Sequence, residues 1–314
     1  MTQKQPRILI IKLGALGDFI LQTGQMRAIC KAYPDAHVTL MTNKSLIKIA
    51  NQMGIFHDYV VDNRTWRPND WIRIIKTLAF GKYDVIFDIQ KQRRTRQKYY
   101  FFARLLAPKH FCWAFSIPTG YHAIKVHKFF SGFWGKAEEA DFPLQRIKSS
   151  LDFCHGPNEN FHLLPNKFVL MIPGCSPSHP YKRWPVKSYA NLAVKLAEHD
   201  ISSVILGTTC EKDEIDAICS ATPRAVNFCN KTTLLDIPDL ARRALVIVGN
   251  DTGPTHMAEL TDQPTISLFS SKTKNSARCA DNVYNFIQDD IADISVQTVF
   301  DQIQSIIHNA KKSA

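Results

Sequence analysis

Short apolar runs recur along this chain. Each has strand length, and each is followed by a small or polar turn and then a helical pattern. In the first half they are Arg7-Ile8-Leu9-Ile10-Ile11-Lys12, Val38–Met41, Tyr59–Val61 and Val85–Asp88. In the second half they are Lys167–Ile172, Ser203–Leu206, Ala225–Phe228, Leu245–Val248 and Thr265–Phe269. Runs that are apolar throughout, without alternation, fit strands covered on both faces. Helical stretches between them favour parallel strands, because a parallel pair needs a long crossover. The expected class is therefore α/β, wound as successive βαβ units.

The chain has 314 residues, enough for two domains with sizeable cores. Phe153 to Pro165 carries Gly156, Pro157 and Pro165 without periodicity and reads as the linker. The expected domains are residues 1–155 and 166–290. Residues 291–314 form a closing helix over about Val296 to His308, expected to pack back on the first domain. No apolar run reaches membrane-spanning length, and the N-terminus lacks a signal-peptide core. The eight cysteines are scattered without paired spacing, which fits reduced thiols in a cytoplasm rather than a disulfide framework or a zinc site.

The net charge of +11 is uneven. Residues 1–150 hold 24 Lys and Arg against 10 Asp and Glu, and the remainder holds 15 against 18. No acid lies between Asp88 and Glu138, a gap containing Arg93, Arg94, Arg96, Lys98 and further lysines and arginines. Such a field attracts nucleic acid, anionic lipid or an acidic substrate, or is simply a solvated face. The aromatic run Tyr99–Phe102 reads as a core face, and the arginines before it as an interaction surface. Phe129-Phe130-Ser131-Gly132-Phe133-Trp134 adds a second aromatic cluster.

Four turns carry candidate chemistry. Leu13-Gly14-Ala15-Leu16-Gly17-Asp18 follows the first strand; Asp18 reads as a helix N-cap or as a carboxylate aimed at a ligand from the strand end. Pro173-Gly174-Cys175-Ser176 precedes Lys182-Arg183-Trp184-Pro185, where Lys182 suits a phosphate or is a solvated loop residue. Gly207 is followed by Glu211, a ribose acceptor or an ordinary first-turn acid. Val246 to Ala258 reads as strand, turn and helix start. There Asn250, Asp251 and Thr252 are able to cap, Gly253 permits close approach, and free N–H groups suit an anion flanked by Asp251 and His256.

These four turns, in this order over about residues 7–270, resemble the heptosyltransferases of glycosyltransferase family nine. The matching positions are Lys12–Asp18, Pro173–Ser176 with Lys182–Pro185 and Tyr189, Gly207 with Glu211, and Asp251-Thr252-Gly253 with His256 and Ala258. The resemblance implies a GT-B fold: two Rossmann-like domains with parallel sheets facing across a cleft, the acceptor on the first and the nucleotide sugar on the second. It implies inverting, metal-independent transfer of a heptose from ADP-heptose to the Kdo–lipid A region of lipopolysaccharide, with no cofactor. No Asp-x-Asp motif is present. By resemblance Asp18 is the catalytic base and Lys182 holds the diphosphate and assists its departure. Donor contacts fall on Gly14, Gly17, Ser176, Lys182, Glu211, Asp251, Thr252, Gly253 and His256. The acceptor, an anionic lipid-linked saccharide, is assigned to Arg93, Arg94, Arg96 and Lys98. The basic and aromatic first half is expected to meet the cytoplasmic face of the inner membrane peripherally, with no nucleic acid bound.

The stretch Ser270–Asn275 lacks the glycine that family members often carry after this strand, which leaves another nucleotide sugar open as the donor. A nucleic-acid-binding protein is a rival from another class, but no recognition motif supports it. A silent sugar-nucleotide-binding protein is a third, disfavoured by the joint presence of Asp18, Lys182 and Asp251.

Overall fold

The computed structural model describes residues 5–313 except 66, 91, 93, 100–109, 117–123, 131–136, 139–148, 155–157 and 177; for the strands within 110–138 it describes backbone alone. The chain divides into two compact units, residues 1–150 and 151–314.

In the first unit the strands are β1 (Arg7–Ile11), β2 (His37–Thr42), β3 (Asp58–Val61), β4 (Val85–Asp88), β5 (His110–Ser116), β6 (Ile124–Phe130) and β7 (Ala137–Glu138). They form one sheet in the order β3-β2-β1-β4-β5-β6-β7. Pairing is parallel from β3 through β5 and antiparallel from β5 to β7. The antiparallel part departs from the wholly parallel expectation. Residues 117–123 are too few for a parallel crossover, so β6 must return beside β5.

The helices here are α1 (Leu16–Ile20), α2 (Thr23–Ala32), α3 (Ile47–Gln52) and α4 (Pro68–Phe80). Helix α4 has Pro68 and Asp70 in its first turn, the residues that a helix start favours. It buries Ile74 and Leu78 beside Leu9, Ile11, Met41 and Ile86. Arg94–Tyr99 forms a single wide helical turn.

The second unit is an all-parallel sheet in the order β10-β9-β8-β11-β12-β13. Its strands are β8 (Phe168–Ile172), β9 (Ser202–Gly207), β10 (Ala225–Cys229), β11 (Val246–Asn250), β12 (Thr265–Ser270) and β13 (Val283–Gln288). Its helices are α5 (Val186–Ala197), α6 (Lys212–Cys219), α7 (Ile237–Arg243), α8 (Gly253–Glu259) and α9 (Val296–Ser313). Tyr189, Leu192, Ala193 and Leu196 recur at helical spacing on α5 and are buried there. The apolar face of α9, Val299, Phe300, Ile303 and Ile306, belongs to the same core as Trp184, Tyr189 and Leu192. That face is therefore consumed within the second unit. The stretch expected to be a linker contains a short helical turn at Glu159–Leu163.

In parallel sheets with this order, the turns after β8 and β11 lie side by side. Gly249 makes their approach close: a Cβ there would stand 2.3 Å from Thr255 Oγ1 and 3.2 Å from Ile172 Cβ. Gly249→Ala should therefore destabilise the protein by about 1–3 kcal/mol through overpacking. Urea unfolding monitored by circular dichroism measures it, and an unchanged midpoint would mean that Thr255 rotates away freely.

Candidate functional site

Strand β8 ends in a loop that the sequence pins at three points. Asn250, at the end of β11 and fully buried, donates through Nδ2 to Pro173 O at 2.6 Å. Its Oδ1 accepts from Trp184 N and from Tyr189 Oη, each at 3.1 Å. Trp184 Nε1 donates to Ile294 O at 2.9 Å, so the indole has its partner inside the core. Arg183 donates to Cys175 O at 3.1 Å and pairs with Glu214. Burial works against its charge, and the Cys175 and Glu214 contacts hold its pKa above the ordinary value. Lys182 immediately precedes these two fixed residues, Arg183 and Trp184.

Its ammonium donates to Asp251 Oδ2 at 2.7 Å. The other oxygen, Oδ1, faces His256 Nε2 at 3.1 Å. His256 Nδ1 in turn lies 2.9 Å from Glu259 Oε2, and Ser267 Oγ donates to Glu259 Oε1 at 2.6 Å. Burial pushes the Asp251 carboxyl up, but hydrogen bonds and charge from His256 and Lys182 outweigh it and leave its pKa below the ordinary carboxylate value. Burial also opposes charge on His256. The charge of Glu259, followed by the contact with Asp251, overcomes this and raises the imidazole to about 10. In order, the set alternates basic and acidic side chains: Lys182, Asp251, His256 and Glu259.

Asp251 and Asn250 are thus not helix caps, since both side chains are engaged elsewhere. Thr252 occupies the N-cap position of α8 in extended conformation without a side-chain capping bond; its Oγ1 lies 3.2 Å from Thr255 Oγ1. Gly253 opens the helix. Glu211 shows the ordinary first-turn role. Its Oε2 accepts from Thr208 N at 3.0 Å and Thr208 Oγ1 at 2.6 Å, closing a capping box. Among the described residues its Oε1 makes no hydrogen bond, and it faces Gly174: a Cβ on that glycine would stand 3.3 Å away. Ser176 is exposed, its Oγ 2.8 Å from Ser178 Oγ.

In the first unit the turn after β1 is held by a residue that sequence reasoning missed. Gln90, just past β4, accepts from Leu13 N at 2.8 Å and donates to Gly14 O at 3.1 Å. Gly14 has φ +95°, which glycine adopts without strain. Gly17 is buried in α1. Asp18 lies in the first turn of α1, exposed and without a hydrogen bond to the described residues, while Ala15 occupies the N-cap. The capping alternative for Asp18 is therefore corrected: the carboxylate stands free at the strand end.

Arg94 is also corrected, from an exposed contact to an internal one. Its guanidinium pairs with Asp62 at 3.3 Å, donates to Tyr99 Oη at 2.8 Å and to Thr65 O at 3.1 Å, and lies 4.5 Å from the Trp71 ring centre. Tyr99 also donates to Asp62, and burial first, then that carboxylate, pushes its phenol well above the ordinary range. Lys98 is exposed with its ammonium 5.4 Å from the Trp71 ring centre. Arg93 and the cluster at 131–134 lie outside the described residues, as do the side chains of Arg96, Phe129 and Phe130.

Known proteins share the family and fold of this chain. Residues 109–295 match the model of glycosyltransferase family 9 (heptosyltransferase). The lipopolysaccharide core heptosyltransferase OpsX of Haemophilus influenzae is 22% identical over 294 residues, 86% of this chain and 80% of that protein. The solved structure of E. coli ADP-heptose LPS heptosyltransferase II superposes with TM-score 0.69 at 17% identity, covering 97% of this chain and 99% of that one. That of E. coli heptosyltransferase WaaC with ADP gives TM-score 0.69 at 13% identity, covering 96% and 99%. The fold is GT-B, and the chain belongs to glycosyltransferase family 9. It is a glycosyltransferase.

Two measurements test this geometry. Arg94→Ala leaves buried Asp62 without its cation and should cost about 3–5 kcal/mol in chemical denaturation; a cost below about 1 kcal/mol would return Arg94 to the surface. His256 titrates higher in the folded protein than in the unfolded chain. Its stabilisation is complete below about 6.5 and is lost as pH rises through about 10. The thermal midpoint should fall more steeply over that window in the wild type than in His256→Gln, and parallel profiles would show that the ring is not charged.

Proposed function

We propose that this glycosyltransferase moves a heptose from ADP-heptose to the inner core of lipopolysaccharide, with inversion at the anomeric carbon and without a metal. The observation that carries the reading is the Lys182–Asp251–His256 set at the ends of β8 and β11, on a chain of this family. Lys182 is the cation for the donor diphosphate, beside the start of α8. Glu211 Oε1 accepts from the ribose, and Ser176, Thr252 and Gly253 border the phosphates. The two E. coli heptosyltransferases compared above carry ADP-heptose or ADP in their names, which favours an adenine nucleotide here.

The first unit serves the acceptor. Asp18 takes the proton from the attacking hydroxyl as its oxygen bonds to the anomeric carbon. The bond from that carbon to the diphosphate oxygen breaks, and the electron pair leaves on the diphosphate, where Lys182 stabilises it. The turn carrying Asp18, with Gly14 and Gly17, admits the sugar closely. The excess of basic residues suits a phosphorylated, acidic acceptor, with Arg93, Arg96 and Lys98 as contacts and Arg94 bracing them from within. On α4, Ile72 and Phe80 are 50% and 68% exposed beside exposed Arg73 and Lys76. Such a face suits the cytoplasmic surface of the inner membrane. Among the described residues no helix is long and apolar enough to cross a membrane.

Calorimetric titration with ADP-heptose, UDP-sugars, GDP-sugars and ADP tests the donor. Preference for ADP-heptose is expected; preference for another nucleotide sugar would change the pathway, and binding of none would overturn the reading. Asp18→Asn should keep donor affinity and lose about 100-fold or more in turnover, whereas near-normal turnover would remove it as the base. Lys182→Ala should weaken donor binding by about 10-fold or more, and unchanged affinity would refute its role.

A further inference from the structure

Glu259 is a fully buried carboxylate one helical turn after His256, and the mechanism above makes no use of it. Its Oε2 faces His256 Nδ1 at 2.9 Å, and its Oε1 accepts from Ser267 Oγ at 2.6 Å. Its backbone oxygen accepts from Arg278 Nη1 at 2.6 Å and Asn282 Nδ2 at 3.0 Å, which fixes the helix end that carries it. The groups facing the ring are therefore Asp251 from the β11–α8 turn and Glu259 from α8, with Lys182 one step further through Asp251, and Ser267 and Arg278 behind Glu259. Each ring nitrogen lies opposite a carboxylate oxygen. A carboxylate only accepts, so both nitrogens must carry hydrogen.

We propose that Glu259 is a positioning residue for donor binding: by holding His256 as a double donor, it keeps Asp251 paired when Lys182 leaves that carboxylate for the donor diphosphate. This rests on the donor site proposed above. The need arises from burial. Asp251 is 6% exposed, and its two partners are Lys182 and His256. When the ammonium turns to an incoming diphosphate, Asp251 would become a buried charge without a cation unless the imidazolium stays. Without the Glu259 charge, His256 is free to become neutral, and Lys182 would be the only full cation left for Asp251. The diphosphate would then compete with Asp251 for the same ammonium. Ser267 is part of the same device, since it satisfies the second oxygen of Glu259 and leaves the first for the ring.

The test combines the ring and the donor. In wild-type protein labelled with 15N-histidine, the His256 ring, assigned by comparison with His256→Gln, should show two protonated nitrogens from pH 6 to 8.5 with no nucleotide present. In Glu259→Gln, which keeps the shape, one nitrogen should lose its proton within that range. The KM for the nucleotide sugar should rise about 10-fold, with kcat within about 3-fold. A wild-type ring with one protonated nitrogen at pH 7 overturns the proposal without using any variant. Unchanged donor affinity in a folded Glu259→Gln protein also overturns it. Wild-type protein that binds no nucleotide sugar overturns the donor-site reading, and the proposal with it, even where the ring spectrum shows the imidazolium. If Glu259→Gln does not fold, Ser267→Ala replaces it, with the same shift in KM expected in weaker form and an unchanged KM overturning the proposal.

Discussion

Asp251 is a buried carboxylate that cannot stand alone, and much of the second unit is arranged to supply its partners. Removing a charge from water costs several kcal/mol unless opposite charge and hydrogen bonds replace the lost solvation. The loop after β8 brings one cation, Lys182, and α8 brings the other, His256. His256 is itself buried and needs Glu259. The requirement thus passes from the strand end through α8 to Ser267 on β12. Asp251, His256 and Glu259 each have a partner on either side, so deleting any one of them strands its neighbours.

The scaffold that brings these groups together is neutral. Asn250 uses both ends of its amide to join Pro173, Trp184 and Tyr189. It thereby sets the spacing between the β8 and β11 turns without adding charge. In the first unit Gln90 plays the same part for Leu13 and Gly14. A side-chain amide suits this task because it donates and accepts at once and keeps one charge state at all working pH values.

The alternation of apolar runs and turns made most strands and the four candidate turns legible in the amino-acid sequence. The turn residues are drawn from a small menu, and parallel strand ends are where such folds place ligands. What escaped has common physical causes. Gln90 and Leu13 are 77 residues apart, and nothing local marks an amide as a clamp. Arg94 looks like its exposed neighbours in a basic run; only the fold brings Asp62 beside it. Strand β13 is an edge strand, half-buried, with Asn285 interrupting its apolar pattern. Strands β5 to β7 lie in a stretch read for its charge and aromatic content rather than for its period. Glu259 had a local signal, three residues after His256 on one helix face, where such pairs meet. Asp18 was ambiguous because a cap and a ligand-facing acid occupy adjacent positions of the same turn.

The two units treat their acids in opposite ways, and the chemistry proposed for them requires it. Asp251 is enclosed and neutralised on both sides, so it serves as a fixed anchor for cations and offers no lone pair to a substrate proton. Asp18 is exposed and makes no hydrogen bond to the described residues, so its oxygens are open to an incoming hydroxyl. Had the two been exchanged, a free carboxylate beside the diphosphate would repel it, and a salt-bridged one beside the acceptor would be too weak a base. In the proposed reaction this arrangement separates attraction of the leaving group from abstraction of the proton. It assigns the first to a charge-balanced interior and the second to a solvated edge held in place by uncharged Gln90.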